Sequence, residues 1–120
     1  MIDRATALAE LRRIFSYDLE YGLDEAEKAS SDPITHLTPE GDSCLHLAAL
    51  RGDARAIALL LDLGAEIDQR GDMGSTALHY AAISRNWESF QLLLDRGADP
   101  NIINKIGARS GEFPCTPKSE

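Results

Sequence analysis

The sequence predicts an all-α fold, a solenoid of stacked helix–turn–helix units, and three observations carry that expectation. Segments recur at a spacing of 33 residues. Each recurrence runs in the same order: a glycine turn, a hydroxyl residue, an apolar run, a second apolar run and another glycine. No single recurrence is large enough to bury its own apolar face, so neighbours must bury it for one another.

The recurrence is dense. Gly41 returns as Gly74 and again as Gly107, Leu45-His46 as Leu78-His79, and Ala48-Ala49 as Ala81-Ala82. Leu59-Leu60-Leu61-Asp62 returns as Leu92-Leu93-Leu94-Asp95, and Gly64-Ala65 as Gly97-Ala98. Two complete units follow, over residues 41–73 and 74–106, preceded by a divergent unit over 1–40.

In the first 40 residues, Asp3 is placed to cap a helix whose apolar positions Leu8, Leu11, Ile14 and Phe15 fall at helical spacing. A second helix is expected from about Leu23 to Ala29, and Asp32-Pro33 echoes Asp99-Pro100. This stretch reads as a worn copy of the same unit. A terminal repeat keeps one wet face, which the acidic residues and the Arg12-Arg13 pair supply.

In the complete units, Ser43 and Thr76 stand immediately before an apolar run, where a helix N-cap is wanted. His46 and His79, three residues on, are placed to bond back as in a capping box. The alanine pairs leave a helix face with little bulk, so helices approach closely. The leucine triplets supply the apolar face of a second helix, in which Leu59, Leu60, Leu92 and Leu93 are core. Gly64 and Gly97 follow where a left-handed residue is needed. A third unit starts at Gly107 and fails, because Arg109-Ser110-Gly111-Glu112-Phe113-Pro114 does not continue as a helix. Gly111, Pro114 and Pro117 make residues 108–120 loop or disordered tail. The last repeat then exposes an apolar flank, covered either by Phe113 folding back or by another chain.

Gly41-Asp42-Ser43-Cys44-Leu45-His46-Leu47-Ala48-Ala49 and Gly74-Ser75-Thr76-Ala77-Leu78-His79-Tyr80-Ala81-Ala82 closely resemble the ankyrin-repeat signature. Gly64-Ala65-Glu66-Ile67-Asp68 and Gly97-Ala98-Asp99-Pro100-Asn101 resemble its ending. The resemblance extends from about residue 33 to 107. Several positions depart from it. Cys44 and Ala77 replace the usual proline, and Asp53 and Asn86 the usual histidine. Arg85 stands where Gly52 stands one repeat earlier. If that site is left-handed, a non-glycine there costs roughly 1 kcal/mol. Trp87, in the place of Ala54, is expected to pack between helices rather than act as a binding hot spot.

Composition narrows the function. The formal net charge is -8 and the pI about 4.8, which makes nucleic acid and anionic membrane poor partners and a basic protein surface a good one. Residues 18–42 hold Asp18, Glu20, Asp24, Glu25, Glu27, Asp32, Glu40 and Asp42 against Lys28 alone. That stretch reads first as a solvated face, and alternatively as a landing site that steers a basic partner. Cys44 and Cys115 form no disulfide framework. With no apolar leader after Met1 and no run of ~18 apolar residues, a soluble, cytoplasmic protein is expected.

No motif calls for catalysis, a cofactor or a metal. No phosphate-binding glycine loop or nucleophile elbow is present. His46 and His79 have structural duties, and His36 lies in a surface turn. Arg70-Gly71-Asp72 spells an adhesion tripeptide, but a turn tip needs Gly and Asp in any case.

Relatives of this kind place partners across the turn tips and the inner face of the first helices. Carried over by position, the resemblance implies three clusters. They are Pro39, Glu40, Asp42, Leu50 and Arg51; then Arg70, Asp72, Met73, Ser75, Ile83 and Ser84; then Ile103, Lys105 and Ile106. Leu50, Met73, Ile83, Ile103 and Ile106 are larger and more apolar than the repeat demands. They form an interaction patch or pack against the next turn, and both readings stay open. The expected function is non-catalytic protein binding, as adaptor or inhibitor. Small acidic ankyrin proteins also resemble immunity proteins that neutralise toxin effectors. A structural subunit forming a homodimer through its C-terminal flank is the alternative from another class.

Overall fold

A computed structural model describes residues 3–20 and 32–111. Its helices are α1 (Arg4–Ile14), α2 (Ser16–Glu20), α3 (Cys44–Arg51), α4 (Ala54–Asp62), α5 (Ala77–Ile83) and α6 (Trp87–Asp95), with a 3-10 turn at Asp72–Gly74. The helix expected near Leu23 to Ala29 lies outside the described residues, as does everything beyond Gly111.

Each helix of the complete units starts on a side-chain cap. Ser43 and Thr76 form reciprocal capping boxes with His46 and His79. The residues that replace the family histidine take the same duty at the second helices. Asp53 accepts from the Ala56 amide and Asn86 from that of Ser89. Asp3 caps α1 by accepting from Thr6.

The units stack in two layers. The first helices, α3 and α5, pack side by side, and the second helices, α4 and α6, form the other layer. Alanines make the inner contact close: Ala48, Ala49, Ala77 and Ala81 are fully buried. The second layer contributes Ile57, Leu60, Phe90 and Leu93, with Leu92 at the margin of the core. Neighbouring second helices run parallel, and Arg96 at the end of α6 pairs with Asp62 at the end of α4 at 2.6 Å.

The N-terminal unit diverges in a way its periodicity does not reveal. Helix α1 packs against α4, in the second layer, and not as a first helix beside α3. It also runs the opposite way. Asp3, Arg4 and Ala7 lie by Ala58, Asp62 and Leu63 at the far end of α4, whereas Glu10 grips Arg55 in its first turn through two hydrogen bonds. Of the expected apolar positions, Leu11 and Phe15 are fully buried all the same, and Leu8 and Ile14 are half-buried. A stripe fixes which face is covered but not which neighbour covers it.

The glycine positions behave as turn chemistry requires. Gly41, Gly74 and Gly107 have φ of 94°, 71° and 86°, and Gly64 and Gly97 both 100°. Gly52 is left-handed at 73°, and its substitute Arg85 is forced to 59°. Gly71 is a glycine for another reason: a Cβ there would run into the Asp42 carboxylate and the His46 ring. That contact accounts for the centre of the Arg-Gly-Asp tripeptide.

Two substitutions test these local costs. Arg85→Gly relieves the left-handed strain and is expected to raise unfolding stability by roughly 1 kcal/mol in urea titration. Ser89, at the position of Ala56, is fully buried and its hydroxyl has no hydrogen-bond partner. Ser89→Ala should therefore stabilise by about 1 kcal/mol, and a loss of stability would show that the hydroxyl is satisfied.

Candidate interaction surface

The turn tips project from one edge and are held there by bonds between repeats. His46 accepts the Ser43 amide at Nδ1, 2.9 Å away, so its proton sits on Nε2 and is donated to the Gln69 carbonyl at 2.8 Å. His79 repeats the arrangement with Thr76 and the Ala108 carbonyl, at 2.8 Å each. Each ring thus caps its own helix and ties that helix to the loop leading to the next unit. Asp42 joins the same seam, accepting from the Asp72 amide at 2.9 Å and the Tyr80 hydroxyl at 2.7 Å. The last two tips touch directly, Lys105 donating its amide to the Met73 carbonyl at 2.8 Å.

Burial favours the neutral form of several of these groups. Burial pushes the His46 pKa below its ordinary 6.5, and its carbonyl partner and Asp42 offset this only in part. Tyr80 is raised, first by burial and then by its bond to Asp42. Burial also pushes the Cys44 thiol up to about 12, which removes it as a nucleophile at neutral pH.

The predicted contact residues separate into two groups. Pro39, Glu40, Leu50, Met73, Ile83, Ile103, Lys105 and Ile106 are exposed. The others make bonds within the fold, Arg51, Arg70 and Asp72 while remaining exposed. Arg51 pairs with Asp18 at 2.9 Å and lies over the Phe15 ring. Arg70 donates to the Ile103 carbonyl, and exposed Asp72 gives its amide to Asp42. Half-buried Ser84 bonds the carbonyls of Ala49 and Ala81. Ser75 does not belong to the surface: it is buried, and its hydroxyl accepts from Asn104 at 3.1 Å. Its place in the repeat is variable, but here it lies beneath the next tip.

Trp87 is the reverse case. The expectation of core packing holds only in part: the ring stacks on buried Phe90 with centroids 5.5 Å apart, but the residue is 40% exposed. It is the first residue of α6, and its counterpart Ala54 is also only half-buried. Of the acidic stretch, Asp24, Glu25, Glu27 and Lys28 lie outside the described residues. Asp18 is engaged with Arg51, while Glu40 is exposed at a tip.

Among the described residues no group of three or more His, Cys, Asp or Glu is placed to hold a metal ion. No described helix is long and apolar enough to cross a membrane.

Paired helices in two layers, with tips presented along one edge, define a helical repeat scaffold. The sequence matches the family model described as ankyrin repeats (3 copies) over residues 19–104, and the chain belongs to the ankyrin-repeat family. No curated protein matches it. Domains of this family are generally protein–protein interaction modules.

The His46 geometry sets a pH dependence. A folded pKa below 6.5 means that the unfolded chain takes the proton first. The stabilisation is complete above about 6.5 and is lost as pH falls through that region. Melting temperature should fall between about pH 7.5 and about pH 5.5, with the His46 ring proton titrating below 6.5 by NMR; titration above that value would contradict the buried, neutral ring.

Proposed function

We propose that this protein acts by binding another protein, as an adaptor or inhibitor, through the turn tips and the exposed side of the first helices. The observation that carries the reading is a run of exposed apolar side chains that no packing need explains. Leu50 and Ile83 occupy equivalent places on α3 and α5, which pack together. Met73 and Ile106 occupy equivalent places on two tips bonded to each other. Ile103 stands beside them in sequence. An exposed apolar patch on a folded chain marks an interaction site.

Met73 strengthens the reading. It holds φ at 58°, a conformation that costs a non-glycine residue about 1 kcal/mol or more. The tip keeps a large exposed methionine at a position where glycine would be easier. Methionine is adaptable and common at binding surfaces.

The net charge of -8, with Glu40 and Asp72 at the tips, suits a partner with a basic surface and disfavours nucleic acid and anionic membrane. Neutralising a basic toxin effector, as immunity proteins do, is one form of this function. A cytoplasmic setting accords with Cys44 as a buried free thiol.

The test compares the native chain with a Leu50→Asp, Met73→Asp variant in retrieving its binding protein from native cells. Both sites are exposed, so the variant is expected to melt within a few degrees of the parent. Affinity for the protein retained by the parent should fall by about 100-fold or more, as when two hot spots are lost. Undiminished retention would rule out this face.

A further inference from the structure

The outer side of the α5–α6 unit carries a groove of about 310 Å³, lined by His79, Ala82, Ile83, Asn104, Ile106 and Ala108. It is the open copy of a site that is filled one repeat earlier. There His46, Ala49 and Leu50 occupy the equivalent places on α3, and α5 packs alongside. The Tyr80 ring stands edge-on to His46 at 5.4 Å, and Ser84 donates to the Ala49 carbonyl. The missing cover shows in the exposures. Ile83 is 58% exposed against 45% for its counterpart Leu50, and Ile106 is 71% exposed against 47% for Met73.

We propose that the chain fills this groove with its own C-terminal segment, Phe113 taking against His79 the place that Tyr80 takes against His46. The occupant follows from register, since 33 residues beyond Tyr80 is Phe113. The repeat geometry is still in force where the described residues end. The bridge between Ile103 and Arg109 reproduces that between Leu37 and Ser43, two periods earlier. Ser110 is fully buried, as are Ala77 and Cys44 at the corresponding positions. The Ser110 amide donates to the Ile102 carbonyl and that of Gly111 to Pro100, both at 2.8 Å. The chain is therefore anchored two residues before Phe113, and the Phe113 Cα lies within about 7.6 Å of that of Gly111. Arg109 and Ala108, at the start of this anchored stretch, themselves line the groove.

The proposed cap requires no third helix. Pro114 falls where Ala81 stands one period earlier, and proline cannot supply a helical amide. Covering the groove lowers Ile83 and Ile106 towards the exposure of Leu50 and Met73. Those two remain half-exposed beneath a full repeat, so the surface assigned to partner binding survives the capping.

The test is thermal unfolding of the full chain carrying Phe113→Ser or Phe113→Tyr, each alone and combined with Ile83→Ala, with sedimentation equilibrium alongside. Phe113→Ser is expected to lower Tm by about 5–10 °C, and Phe113→Tyr to stay near the parent, all species remaining monomeric. The shift caused by Ile83→Ala should shrink by about half or more in the Phe113→Ser background, because the two side chains no longer meet. An unchanged Tm for Phe113→Ser, a tyrosine as damaging as serine, or strictly additive shifts would each overturn the proposal. So would a parent dimer that Phe113→Ser dissociates, since a second copy would then be the occupant.

Discussion

The imidazole rings of His46 and His79 each serve two segments at once. One nitrogen accepts the N-cap amide of the ring's own helix, and the other donates to a carbonyl 23 or 29 residues further along the chain. The first bond starts a helix of only eight or seven residues, too short to be stable alone. The second fixes the following loop at a set height above that helix. Because the first bond forces the neutral tautomer, the second always has its donor. Local helix initiation and the spacing between repeats therefore rest on the same side chain. The turn tips, with Met73 and Ile106 on them, are positioned by that spacing.

Around this link, charged pairs lie along the seams: Glu10 with Arg55, Asp18 with Arg51, and Asp62 with Arg96. Exposed pairs of this kind contribute little stability. All three join segments that are far apart in sequence, and they set the register in which helices lie side by side. Asp42 does more, because it is half-buried and binds both the Asp72 amide and the Tyr80 hydroxyl. The protein thus spends much of its polar chemistry on alignment, and the exposed run Leu50, Ile83, Met73 and Ile106 stays outside these networks.

What was legible in the sequence was what the chain determines locally. The capping boxes are contacts across three residues, the left-handed glycines are single positions, and the alanine pairs imply close approach wherever they fall. The far halves of the histidine bonds were not legible, because a carbonyl leaves no mark in a sequence. Nor was the placement of α1, whose apolar positions Leu8, Leu11 and Ile14 read the same whichever way the helix runs. Leu50, Met73, Ile83, Ile103 and Ile106, larger and more apolar than the repeat needs, are exposed. Ser75 and Trp87 depart from expectation in opposite senses: a variable position need not be exposed, and a position expected to pack need not be buried. Ser75 is roofed by Asn104, and Trp87 stacks on Phe90 yet stays partly exposed.

The reversed α1 has a consequence for how such an array can change length. A regular repeat presents a first helix and a parallel second helix to its neighbour, so another repeat can be added to it. Helix α1 instead offers the second layer an antiparallel partner. A whole 33-residue cassette inserted after Met73 would leave that contact undisturbed. Segmental duplication there would lengthen the tip-bearing edge in steps, while α1 and its contacts with α4 are inherited unchanged.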